Sequence, residues 1–356
     1  MSLSLGIIGL PNVGKSTLFN ALLKRQVALA ANYPFATIDP NIGVVEVPDS
    51  RLQALVDVVK KEYGRVGDRE VPEKVIPAVV KFYDIAGLVA GAHKGEGLGN
   101  QFLSHIREVD AIVHVLRDFT DENVVRAGAT HPDVDKQIVE TELILADLQT
   151  IEKRVQGSRK EKSDLIILDK VKSALDQGKL VNDLNLTKDE TEFVSQLNLL
   201  SVKPVLYVIN TDEDKLHNEA VTNSKYIYIS AKLEEELAGF TDGEKTQYLE
   251  DLGIAESGLD KIIRHGYAVL GLQTYFTAGP KEVRAWTIKR GSKAPQAAGV
   301  IHTDFERGFI RAEIIGWQEL TELGSWKIAK DKGKIRSEGK EYVMQDGDVV
   351  EFRFNV

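Results

Sequence analysis

Apolar and polar residues follow two rhythms along this chain. Residues 3–8, 79–83, 111–116, 204–209 and 226–229 are short, nearly continuous apolar runs, the pattern of buried strands. After the first run, residues 16–23 place Phe19, Leu22 and Leu23 on one side of a helix. From residue 133 to about 178 the spacing lengthens. Ile144, Leu148, Ile151 and Val155 step at heptad intervals, Gly157-Ser158 breaks the run, and Leu165, Leu168, Val171 and Leu175 resume it. That pattern predicts a helical, coiled-coil-like hairpin inserted between strands. Thr187-Lys188-Asp189-Glu190 reads as a capping box opening a further helix with Phe193, Leu197 and Leu200. Beyond about Gln273 the period falls to two, in residues 283–288, 309–315 and 349–354. A small mixed sheet is expected there, holding Trp286, Trp317 and Trp326.

Between the first strand and first helix lies Gly9-Leu10-Pro11-Asn12-Val13-Gly14-Lys15-Ser16, which fits G-x-x-x-x-G-K-[ST]. Strand, glycine loop and helix bring successive backbone N–H groups and a helix N-terminus onto phosphate oxygens, and Lys15 adds a full charge. Ser16 is expected to place its hydroxyl on magnesium. Ala30 to Thr37 reads as a loop, and Thr37 is a candidate second magnesium ligand that closes over a γ-phosphate. The strand at 79–83 runs into Asp84-Ile85-Ala86-Gly87. Asp84 is placed to hold magnesium through water, and Gly87 to let the backbone approach the γ-phosphate.

The residue after Gly87 is Leu88, which cannot orient a water molecule as the glutamine of signalling GTPases does. Residues 91–99 are glycine-rich and read as a mobile switch. His93 within them is a candidate proton acceptor or an ordinary exposed loop histidine. His114, inside an apolar strand, reads as a satisfied core residue.

Asn210-Thr211-Asp212-Glu213 sits at the carboxyl end of the strand at 204–209, the edge of a parallel sheet where ligands collect. GTPases carry N-K-x-D there, and the aspartate accepts from guanine N1–H and N2. Here Thr211 takes the lysine place and Glu213 the aspartate place. The longer side chain misaligns a carboxylate with guanine, whereas Asn210 is expected to pair with a purine edge. ATP is therefore expected over GTP. Ser230-Ala231, after the next strand, is expected to touch the base from its other side.

Bulk properties narrow the setting. A chain of 356 residues is expected to hold two or three domains. Its 43% hydrophobic and 28% charged residues fit a soluble globular protein. The net charge of -9 argues against general attraction to nucleic acid. There is no cysteine, which excludes disulfides, thiolate metal sites and cysteine nucleophiles. Neither a signal peptide nor a bilayer-spanning run is seen, so a cytoplasmic protein is expected. From Gln273 onward 14 Lys/Arg face 12 Asp/Glu. Lys327, Lys330, Lys332, Lys334 and Arg336 cluster there as a solvated loop or an RNA contact.

With these landmarks assembled, the chain resembles the YchF or Obg-like ATPase family, in the Obg group of P-loop proteins with the GTPase fold. The resemblance runs nearly end to end. It rests on GLPNVGKS at residues 9–16, NYPFAT at 32–37, DIAGLVAGAHKGEGLG at 84–99 and NTDE at 210–213. It continues in LQTYFTAGPKEVRAW from Leu272, HTDFERGFIRAE from His302 and the closing QDGDVVEFRFNV. It implies an α/β protein: a P-loop NTPase G domain with a doubly wound, mostly parallel sheet, an inserted helical hairpin, and a C-terminal TGS domain of β-grasp type. The expected boundaries are 1–130 and 201–272 for the G domain, 131–200 for the insertion and 273–356 for the TGS domain.

The resemblance further implies that Asn12, Val13, Gly14, Lys15, Ser16 and Thr17 bind phosphates, that Ser16 and Thr37 hold magnesium, and that Asn210 and Thr211 meet the base. Asn12 is similar to the asparagine of potassium-stimulated relatives, which makes potassium a second expected ion. Association with ribosomes or stress responses is implied as well. One departure is Arg126, where family members often carry a histidine in the segment Asn123-Val124-Val125-Arg126. The expected activity is slow magnesium-dependent ATP hydrolysis that works as a conformational switch. The rivals are a conventional GTPase and a ribosome- or RNA-binding module that uses nucleotide only as a ligand. No membrane partner and no DNA specificity are expected, and the protein is expected to be a monomer.

Overall fold

The computed structural model describes residues 3–30, 41–66, 69–85, 98–121, 123–126, 131–156, 162–218 and 226–355. Thr37, Gly87, Leu88 and His93 lie outside them, as does the break at Gly157-Ser158. Along the chain the strands are β1 (Ser4–Ile8), β2 (Ile42–Glu46), β3 (Arg65–Val66), β4 (Arg69–Glu70), β5 (Lys74–Ile76), β6 (Val79–Asp84), β7 (Ala111–Arg117), β8 (Val205–Asn210), β9 (Tyr226–Ile229), β10 (Leu272–Ala278), β11 (Glu282–Lys289), β12 (Phe309–Gly316), β13 (Arg336–Glu338) and β14 (Asp348–Phe354). The helices are α1 (Lys15–Ala30), α2 (Ser50–Tyr63), α3 (Leu98–Glu108), α4 (Pro132–Gln156), α5 (Lys162–Asp176), α6 (Lys188–Ser195), α7 (Ala231–Leu237), α8 (Asp242–Asp251), α9 (Gly258–Val269), α10 (Ala294–Ile301), α11 (Thr303–Arg307), α12 (Trp317–Leu323) and α13 (Trp326–Asp331). Among the described residues no helix is long and apolar enough to cross a membrane.

Two compact units emerge, Met1–Val45 with Val80–Leu270, and Glu46–Val79 with Gly271–Val356. The first is built on a sheet of order β2-β6-β1-β7-β8-β9. Its run β6-β1-β7-β8-β9 is parallel throughout. Every residue of β1 and β7 is buried, which is why both read as unbroken apolar runs rather than alternating ones. This parallel stacking places the ends of β1, β6, β7, β8 and β9 along one edge.

α4 serves two roles. Its early turns pack on the sheet, with Val139 and Leu143 buried and the Lys136 ammonium 4.6 Å from the Tyr207 ring centroid. Its later turns form the hairpin with α5, where Ile144, Ile151, Leu168, Val171 and Leu175 share a core with Leu180, Val181 and Val194. The hairpin stripe thins outward, for Val155 is 46% and Leu165 42% exposed. The capping box at Thr187 is present, with Glu190 reaching back to the Thr187 N–H.

The second unit holds a mixed sheet of order β13-β12-β14-β10-β11-β5. β10 and β11 are antiparallel, whereas β10 with β14 and β11 with β5 are parallel. Ala294, Ala297 and Ala298 of α10 pack into its core with Tyr275, Ile288, Phe309 and Phe352. A mixed sheet with α10 packed on it is consistent with the expected β-grasp form. One difference from the expected division is clear. Residues 46–79 fell within the first part of the G domain by sequence, but they belong to this unit, because β5 adds to its edge and α2 packs beside it. Glu62 of α2 accepts from the N–H groups of Trp326 and Lys327 at the start of α13.

Candidate functional site

The loop between β1 and α1 is fixed by backbone demands. Gly14 has φ of +96°, and a Cβ there would lie 2.3 Å from Asn210 Nδ2, so only glycine fits. Asn12 takes the left-handed region at φ 60°, which asparagine tolerates better than most residues. Leu18 N–H bonds the Gly14 carbonyl and starts the helix. Val13 is buried, Ser16 is exposed and Thr17 is half-buried. The Lys15 ammonium is folded back onto the Leu10 carbonyl at 2.6 Å. Burial pulls its pKa from 10.5 down to about 8, against the attraction of Asp84. Burial likewise raises the Asp84 carboxyl, against the attraction of Lys15. For both groups the cost of desolvation exceeds their mutual attraction. A site that penalises its own lysine charge is relieved by an anion arriving beside it.

On the base side, Asn210 has a structural role as well. Its side chain is 5% exposed and already engaged. Nδ2 donates to the Val13 carbonyl at 3.0 Å, and Oδ1 accepts the Ala231 N–H at 2.9 Å. Asn210 thus ties the phosphate loop to the loop after β9 with its Oδ1 and one of its two Nδ2 hydrogens. Thr211 is buried as well, its hydroxyl donating to Asp118 Oδ2 at 3.2 Å and its N–H to Ile229 O at 2.8 Å. Ser230 is the N-cap of α7 and accepts from Leu233 N–H. Glu213 is half-buried at the start of a 3-10 turn (Glu213–Asn218), and its carboxylate makes no hydrogen bond among the described residues.

Sequence reasoning missed the loop after β7. Arg117 is 4% exposed, its guanidinium donating to the carbonyls of Asp121 and Val124 and lying 4.2 Å from the Phe119 ring centroid. Asn12 Nδ2 donates to the Val125 carbonyl of the same loop at 3.1 Å. Arg126 bonds the Arg117 carbonyl and pairs with Asp135 of α4 at 3.7 Å. The only signal in the sequence was an arginine ending an otherwise apolar strand. His114 is also a correction: it is 2% exposed, but its Nε2 has no hydrogen-bond partner among the described residues, and burial pushes its pKa down to about 3.

The fit to magnesium can be tested on the donors present. Asp84 ends β6 with a carboxylate that no hydrogen bond engages among the described residues, and the exposed Ser16 hydroxyl begins α1. Hydroxyl and carboxylate oxygens are the donors magnesium takes. Among the described residues no cluster of three His, Cys, Asp or Glu side chains is placed to hold a metal ion. The residues fit the ion.

A parallel sheet, a phosphate loop and a second pair of loops at the same sheet edge define a nucleotide-binding P-loop protein of the GTPase fold. Comparison with known proteins agrees. A family model described as "50S ribosome-binding GTPase" matches residues 4–170, and the YchF-GTPase_C model, described as "Protein of unknown function (DUF933)", matches 272–355. "Ribosome-binding ATPase YchF" of Bacillus subtilis (strain 168) is 50% identical over the whole of both chains, and that of Haemophilus influenzae (strain ATCC 51907 / DSM 11121 / KW20 / Rd) 48%. The solved "Structure of the Schizosaccharomyces pombe YchF GTPase" is 38% identical, covers 99% of this chain and 98% of its own, and superposes with a TM-score of 0.85. The chain belongs to the YchF family.

Proposed function

We propose that this protein is a slow magnesium-dependent ATPase that hydrolyses ATP to ADP and phosphate, prefers ATP over GTP, and acts in the cytoplasm as a nucleotide-controlled switch on the ribosome. The names of its relatives divide between ATPase and GTPase, so the base must be argued from this chain. The observation that carries the preference is Glu213. It stands where GTPases place aspartate, and its side chain has no hydrogen bond among the described residues, while the Thr211 hydroxyl is already bonded to Asp118. A carboxylate one methylene longer reaches past the register of guanine N1–H and N2, and a misplaced buried acceptor costs specificity.

Catalysis on this reading is positioning and charge neutralisation. Lys15 leaves the Leu10 carbonyl for the phosphates, and the N–H groups of residues 12–17 hold their oxygens. Magnesium, held by Ser16, Thr37 and, through water, Asp84, supplies charge neutralisation when bound. Leu88 supplies no hydrogen bond to water, which accords with slow turnover; Gly87 and His93 remain the proposed γ-phosphate contact and proton acceptor. Asn12 Oδ1 makes no hydrogen bond among the described residues and suits potassium. Equal turnover in sodium and potassium would remove that ion from the scheme. Ribosome or RNA contact draws support from Lys327, Lys330 and Lys332, which are exposed and unpaired among the described residues, whereas Lys334 pairs with Glu319 and Arg336 with Glu338.

The test is Glu213→Asp. Shortening the side chain should move the ratio of GTP to ATP affinity toward GTP by about tenfold or more, the range a well-placed acceptor commands. An unchanged ratio contradicts the role given to Glu213. Lys15→Ala separates the rival reading: ribosome binding that survives in its nucleotide-free form would make the nucleotide a ligand only.

A further inference from the structure

We propose that Asp118, Thr120 and Lys215 are positioning residues that set where Glu213 meets the base, and so help choose the purine. The Glu213 side chain has no hydrogen bond among the described residues, but the residues on both sides of it are anchored, and their side-chain anchors lead to the loop after β7. Asp118 N–H bonds the Asn210 carbonyl at 2.8 Å, holding that loop against the end of β8. Before Glu213, the Thr211 hydroxyl donates to Asp118 Oδ2 at 3.2 Å. Asp212 accepts from Thr120 three times, from its N–H at 3.1 and 3.2 Å and from its hydroxyl at 3.0 Å. After Glu213, the Lys215 ammonium donates to the Asp118 carbonyl at 2.9 Å and pairs with Asp212 at 3.2 Å and Asp118 at 3.6 Å.

The turn that carries Glu213 is therefore clamped from both ends onto residues 118–120. Lys215 and Asp118 are 44% and 40% exposed, so these ion pairs contribute little to global stability. Their worth is geometric. A shift of under an ångström at this turn decides whether a carboxylate meets the donors of one purine or another. Thr211, in the place where GTPases carry lysine, is short enough to leave Asp118 open to Lys215.

This inference rests on the ATP-preferring reading of Glu213, and the experiment keeps the two apart. Affinities of wild type and Asp118→Ala are measured for MgATP, MgGTP and inorganic tripolyphosphate, with kcat and KM for ATP. The expected result is a KM about tenfold higher with kcat within about twofold, a narrowed ATP-to-GTP ratio, and tripolyphosphate binding as in wild type. Parallel weakening of all three ligands, or an unchanged ratio, overturns the proposal. Thr211→Val and Thr211→Ser read the same bond if Asp118→Ala fails to fold. The serine variant should keep the wild-type ratio and the valine variant lose it, and identical ratios overturn the proposal. A wild type that favours GTP sinks the ATP reading alone; positioning then stands if Asp118→Ala selectively weakens GTP.

Discussion

Asn210 holds Val13. The side-chain amide of one donates to the carbonyl of the other at 3.0 Å, across 197 residues of sequence. With the bond from Ala231 N–H to Oδ1, one buried side chain spaces the phosphate loop from the loop after β9. Asn210→Ala leaves a buried donor and a buried acceptor unpaired, each costing about 1–3 kcal/mol. Urea unfolding should show that loss, and ATP affinity should fall with it. Unchanged stability would mean that the bond has no structural weight.

Lys15 ties nucleotide binding to pH. Its pKa in the free protein is about 8 against an ordinary 10.5, so between those values the folded chain binds fewer protons than the unfolded one. Stability of the free protein therefore rises with pH across that window. Phosphates restore the charge, so ATP binding near pH 9 should take up about one proton, and affinity should fall as pH climbs above 8. Calorimetry in buffers of different ionisation heat measures this directly. No uptake contradicts the burial of a neutral lysine.

His114 makes the fold acid-sensitive. Burial, with smaller contributions from Lys136 and Lys15, holds it at about 3 while the unfolded histidine titrates near 6.5. The unfolded chain binds the extra proton, so stability is full above 6.5 and is lost as pH falls toward 3. The slope from this residue is up to about 1.4 kcal/mol per pH unit. His114→Leu should flatten the unfolding free energy over that window. An unaltered slope would assign the acid sensitivity elsewhere.

Arg51 knits residues 46–79 to the second unit. It pairs with Asp49 at 2.7 Å and Asp346 at 2.6 Å, and its guanidinium lies 5.1 Å from the Phe276 ring centroid. Arg51→Met should cost about 1–3 kcal/mol. Hydrogen exchange should then quicken in α2 and β10 but not in β7. Uniform protection would contradict the assignment of α2 to that unit.

What the sequence disclosed follows from where the information is local. The phosphate loop, the buried runs at β1, β7 and β8, the hairpin stripe and the period-two strands of the second unit each rest on neighbouring residues, and all were legible. The pairing of Lys74 with Glu282 was not, because a three-residue edge strand carries too little pattern to name a partner two hundred residues on. The structural role of Asn210 was hidden for a related reason. Its residue type announces hydrogen bonding, but only the packed structure shows that Val13 and Ala231 claim it first. The clamp from Asp118 and Thr120 on the turn of Glu213 was equally invisible, since loop carboxylates carry no signature of their partner.

Titration of the nucleotide-free protein with MgATP and with MgGTP, side by side in one buffer, decides between the purines. ATP should bind several-fold tighter than GTP, in the direction that Glu213 dictates. Tighter GTP, equal affinities, or no uptake of either nucleotide would contradict it.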